Sequence, residues 1–207
     1  MAVLPIPQAH FDAADISAVT QLVLSERECR DLGRWARMRE CFHPDSIVRI
    51  SWFNGSGPDF VERSIDMARR RVLATHRLGP VAVRLNGDRA VASLGATIDI
   101  PGTLEGVAVF LSSHSRFLYR AERRDGQWRL ASFEAFYLRD ELHPQLPGQA
   151  VPVTPEQVAG FRPSYRMLSL LLTREGYAVN HDLPGIDRPD SVESMCREVY
   201  GWAGLQP

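Results

Sequence analysis

Apolar side chains at Ile16, Val19, Val23 and Leu24 recur at the three-to-four-residue spacing of one helix face. Asp15 or Ser17 can open that helix, because a short oxygen-bearing side chain accepts from the unpaired N–H groups of a first turn. Gly33 interrupts the pattern and predicts a bend at 32–34. Beyond it, Trp35, Met38 and Phe42 fall at i, i+3 and i+7, the buried stripe of a short second helix. His43 precedes Pro44 and is pushed out of the α region, so that helix ends there. Between 46 and 53 the period changes to two: Val48, Ile50 and Trp52 face one way, Ile47, Arg49 and Ser51 the other. Asn54-Gly55-Ser56-Gly57-Pro58 reads as a loop, and Pro58 suits the first turn of a third helix running to about Thr75.

From 79 to 137 the pattern is β throughout. Val81, Val83 and Leu85 alternate, Asn86-Gly87-Asp88 makes a hairpin turn, and 90–100 returns. Pro101-Gly102 predicts a loop, 106–123 a long strand, Asp125-Gly126 a second hairpin, and 128–137 the closing strand. Helices gathered early and an antiparallel meander late make an α+β arrangement, not the alternation of a parallel sheet. After Leu142 a proline-rich connector leads to two helical segments, at 155–173 and 191–202. These are too short for a second domain and are expected on the same sheet or on a partner subunit.

The composition fits a globular chain: of 207 residues 44% are hydrophobic and 24% charged. The net charge of -1 supplies no field for nucleic acid or an anionic membrane. Arg69-Arg70-Arg71 continues a helix without interleaved aromatics and reads as a solvated face. Three widely spaced cysteines, Cys29, Cys41 and Cys196, argue for reduced thiols, not a disulfide framework or structural zinc. Residues 1–7 lack the charged and apolar regions of a signal peptide, and no stretch approaches about 20 apolar residues. A cytoplasmic protein is expected.

Three segments in order resemble the SnoaL-like members of the NTF2-like superfamily, which include scytalone dehydratase and ketosteroid isomerase. They are Arg30-Asp31-Leu32-Gly33-Arg34-Trp35 with Phe42-His43-Pro44-Asp45; Thr75-His76-Arg77-Leu78 with Gly87-Asp88-Arg89; and the 116–123 strand with Asp125-Gly126-Gln127-Trp128-Arg129. The resemblance covers 10–140 and implies an NTF2-like cone, a curved antiparallel sheet with N-terminal helices. Residues 141–207 form a C-terminal helical extension beyond it.

The resemblance also implies an aspartate–histidine dyad, and the matching positions are Asp31 and His76. Such a dyad has a physical rationale. Histidine titrates near neutrality and can take a carbon-bound proton and return it, while a carboxylate fixes its tautomer. Leu24, Glu28, Asp31 and Trp35 share one helical face, which lets Asp31 point inward with Glu28 beside it. The plain alternatives are a helix-end carboxylate for Asp31 and, for His76, a histidine at a helix C-terminus. His114, mid-strand, is a third candidate, matching a central-strand histidine of scytalone dehydratase. Arg30 stands where that enzyme has a tyrosine; its guanidinium suits a carboxylate or phenolate, or only a surface ion pair. Tyr119 stands where many relatives are acidic. Trp52 belongs to the aromatics that are mainly core but suit a flat ligand where they line a pocket.

No HxH, HExxH, P-loop, GxSxG or GxGxxG motif occurs, so neither metal nor cofactor is expected. The expected function is a cofactor-independent lyase or isomerase acting on a small, apolar, oxygenated ring compound. The competing expectation is a non-catalytic ligand-binding or assembly module, including a role like that of a dioxygenase small subunit. A homodimer or homotrimer meeting through the open sheet face is expected.

Overall fold

The computed structural model describes residues 13–207. The expected domain start at 10 and the expectation of no signal peptide at 1–7 fall outside them. Helices α1 (Ala13–Asp31) and α2 (Trp35–Glu40) meet at Gly33, whose φ of 67° lies in the left-handed region that an L side chain enters only with strain. Strand β1 (Phe42–Ile50) follows, and β2 (Phe53–Ser56) folds back on it, so a hairpin replaces the expected loop. Ser56 caps α3 (Gly57–Arg69) by accepting from the Asp59 N–H at 3.2 Å. Gly57 is required there: a Cβ would meet Ser46 Oγ at 2.2 Å.

Helix α3 ends six residues earlier than its apolar spacing predicts. Arg71 takes a φ of 59° and turns the chain away, and residues 75–78 become strand β3 (Thr75–Leu78). His76 therefore sits on a strand, paired with Ile98, and the helix-end reading of this histidine is corrected. The meander continues through β4 (Ala82–Asn86), β5 (Arg89–Leu104), β6 (Val107–Arg124) and β7 (Gln127–Pro144). Pro101-Gly102 lies inside β5, not in a loop. Beyond Asp99, β5 pairs with β6 alone, and a proline without an N–H fits such an open edge. The sheet order is β2-β1-β7-β6-β5-β3, with β4 also on β5. Strand β1 runs parallel to β7, a long-range pairing that no local pattern announces.

The curved sheet remains open, and its two faces carry different cores. Ala92, Phe117, Tyr119, Phe133 and Tyr137 pack inward with α1 and α3. Val91, Leu118 and Phe136 point outward, where Met195, Val199 and Ala203 cover them. The covering element is α6 (Pro189–Trp202), so the outer sheet face on which copies were expected to meet carries the chain's own helix. The single helix expected at 155–173 is broken into α4 (Pro155–Val158), a 3₁₀ turn and α5 (Arg166–Arg174), with Pro163 opening the turn. Among the described residues no helix is long and apolar enough to cross a membrane.

Candidate active site

Helix α1 turns a mixed face inward. Val19, Val23, Glu26, Arg27 and Arg30 are buried at i, i+4, i+7, i+8 and i+11. This stripe is rotated from the one expected through Leu24, Glu28, Asp31 and Trp35. Glu28 consequently lies half exposed, paired with Arg34 at 3.4 Å, and faces a groove outside the cone.

Two of these buried groups, Glu26 and Arg27, form a hydrogen-bonded chain with Tyr119. Glu26 is fully buried, bonded to the Arg27 guanidinium and accepting from Tyr119 Oη at 3.3 Å. Arg27 lies over the Phe133 ring, 4.7 Å from its centre, with Phe60 and Phe117 near 5.6 and 5.9 Å. Burial works against its charge, but Glu26 beside it holds the guanidinium above its usual pKa. Arg27 Nη1 stands 3.4 Å from His76 Nε2.

Strand β3 presents His76 between this chain and Asp31. Asp31 Oδ1 is 2.6 Å from His76 Nδ1, and its other oxygen accepts the His76 backbone N–H at 2.7 Å. Nδ1 beside a carboxylate is the donor, so the neutral ring keeps its lone pair on Nε2. Burial lowers the His76 pKa below 6.5; the Asp31 hydrogen bond opposes this and the Arg27 charge adds to it. The imidazole is neutral at physiological pH.

His76 lines a cavity of about 40 Å³, together with Arg27, Arg30, Trp52, Phe117 and Phe133. Leu168 and Leu172 of α5 contribute to the wall. Asp31 does not line this cavity; it braces His76 from the outer-groove side. Tyr137 also lines it, and its hydroxyl accepts the Ser51 N–H at 3.0 Å.

The structure thus brings Asp31, His76, Arg30 and Trp52 to one region and leaves two expected residues outside. Glu28 faces the outer groove. His114 shares the outward face of β6 with Arg116 and Leu118, hydrogen-bonded to Thr97 Oγ1 at 3.2 Å, because the β5–β6 register runs without interruption. Arg27 and Glu26 were missed; the i, i+7, i+8 extension of the Val19 stripe was the signal for both. Among the described residues no three His, Cys, Asp or Glu side chains gather to hold a metal.

Residues 12–134 match the family model of the SnoaL-like domain. A PEP2-like protein of Fusarium vanettenii is 27% identical over 183 residues, 82% of this chain and 78% of that one. A hexachlorocyclohexane dehydrochlorinase from Novosphingobium barchaimii superposes with a TM-score of 0.54 at 16% identity, covering 68% of this chain and 97% of that one. An NTF2-like protein from Novosphingobium aromaticivorans superposes at 0.51 and 21% identity, covering 59% and 81%. These two structural likenesses concern the fold.

Proposed function

The chain belongs to the SnoaL-like family of the NTF2-like superfamily, and on that premise we propose that its cone is a cofactor-independent elimination or isomerisation site for a small oxygenated ring compound. The 2.6 Å Asp31–His76 contact, with the imidazole on the cavity wall, carries this reading. His76 Nε2 takes a proton from a carbon next to an electron-withdrawing group. The C–H electron pair forms the new double bond as the β-substituent's bond to carbon breaks. The imidazolium then gives its proton to that departing oxygen, releasing water; in an isomerisation no substituent leaves, the C–H pair is held as an enolate, and the imidazolium returns its proton to a different carbon of that enolate. Asp31 never touches substrate; it fixes the tautomer and stabilises the transient cation. The Arg27 contact to Nε2 is long, so a substrate displaces it at small cost. The dehydrochlorinase that shares the fold is named for an elimination of the same type, loss of a proton and a β-substituent.

The test is turnover of cyclic β-hydroxy ketones and β-hydroxy acids in D₂O, followed by NMR for loss of water or deuterium uptake at carbon. The wild type converts or exchanges at least one of them. His76→Ala lowers that rate by about 10²-fold or more, and Asp31→Asn lowers it to a lesser degree. Full activity in His76→Ala, or neither elimination nor exchange by the wild type, sinks the reading. The binding-module alternative expects saturable binding with no turnover.

A further inference from the structure

Arg30 is only 6% exposed, lines the cavity, and has no carboxylate within ion-pair distance among the described residues. Among the described residues its one side-chain hydrogen bond runs from Nη2 to the Met67 sulfur at 3.2 Å, a weak acceptor, and its guanidinium lies 6.0 Å from the centre of the Trp52 ring. The neighbouring acids are already engaged. Glu26 serves Arg27 and Tyr119, and Asp31 gives both oxygens to His76. Burial, with the Arg27 charge adding to it, pulls Arg30 down to about 10, which still leaves it charged at neutral pH. A buried cation without a counter-ion costs stability that the fold does not recover internally.

We infer that Arg30 is the anchor for a carboxylate on the cavity's ligand. The step rests on the proposed use of the cavity and narrows its ligand class from oxygenated ring compounds to those that carry a carboxylate. One uncompensated guanidinium among Trp52, Met67, Ile98 and Leu172 matches one monoanionic, planar group, which it holds through two parallel N–H donors. The carboxylate at Arg30 and the imidazole at His76 face the same space, so the anchored ligand presents its adjacent carbons to Nε2.

The experiment compares acetate, butyrate and benzoate with their amides by titration calorimetry and ligand-observed NMR, on wild type and Arg30→Met. At least one carboxylate binds the wild type about 10-fold more tightly than its amide, and Arg30→Met abolishes that preference. Ligand-free Arg30→Met also melts at or above the wild-type temperature, because a buried unpaired charge has been replaced by an apolar chain of similar length. No preference for any carboxylate, a preference that survives in Arg30→Met, or a lower melting temperature for the ligand-free variant overturns the inference. Carboxylate-selective binding without turnover would sink the elimination reading and leave the anchor standing. Turnover confined to neutral substrates, without the preference, would do the reverse.

Discussion

Asp31 grips His76 twice, at the ring and at the backbone N–H, and this double contact sets both orientation and tautomer. The cost of burying the ring appears in its titration. Burial and the Arg27 charge hold its pKa below 6.5, while the Asp31 bond works in the opposite sense. Between 6.5 and the lower folded value, the unfolded chain binds a proton that the folded chain refuses. Stability at this group is therefore complete above pH 6.5 and falls as the pH drops through that window. The His76 ring signal in an NMR titration is expected to turn below pH 6.5, with melting temperature declining over the same range and less steeply in His76→Gln. A midpoint above 6.5 would contradict the assigned balance. Any rate that depends on neutral Nε2 carries an acid limb at that same midpoint.

At the scale of elements, the wall of the cavity depends on how α5 is tied to the sheet. Asp140, near the end of β7, accepts the Leu168 N–H at 2.8 Å and so satisfies a free donor in the first turn of α5. Burial raises this carboxyl to about 6, against the opposing pull of the Leu168 and Met167 N–H groups. Between 3.8 and 6 the folded chain binds the extra proton, so this group's contribution falls as the pH rises through that window. Asp140→Asn keeps an acceptor without the charge and is expected to melt higher than wild type at pH 7.5. Asp140→Ala leaves the N–H unpaired and loses about 1–2 kcal/mol in denaturant unfolding. Equal stability of the two variants would show that the cap contributes nothing.

For the whole molecule, the sheet separates two apolar regions, the cone interior and the patch beneath α6. Val199 is fully buried against that patch. Val199→Asp places a charge there, and the expected outcome is release of α6 from the outer face while His76 keeps its NMR signature. The freed Val91, Leu118 and Phe136 surface then drives self-association, visible as a larger mass by light scattering. An unchanged mass with α6 still protected from hydrogen exchange would refute this division. The outer face is thus committed to the chain's own C-terminal helix over the area that α6 covers.

Local chemistry was enough for much of this fold. Gly33 set the α1–α2 bend, Asn86-Gly87 and Asp125-Gly126 set two hairpins, and the order of helices and strands gave the α+β class, because each depends on neighbours a few residues apart. The motif around Asp31 and His76 likewise named two residues that the folded chain brings to 2.6 Å. What tertiary structure decided was direction and partnership. Periodicity places a stripe on a helix but not its rotation toward a core, so Glu26 and Arg27 went unnoticed while Glu28 was expected inside. Alternation gives two strand faces without saying which is concave, and only the packing of Phe117 and Tyr119 into the cone core shows that His114, of opposite parity, faces outward. In the sequence Arg30 suits either a ligand's carboxylate or phenolate or a surface ion pair, and the two separate only once the fold buries it and gives both nearby carboxylates to other partners. Its lack of a carboxylate partner among the described residues is a property of the assembled cone, set by long-range contacts that no local pattern encodes.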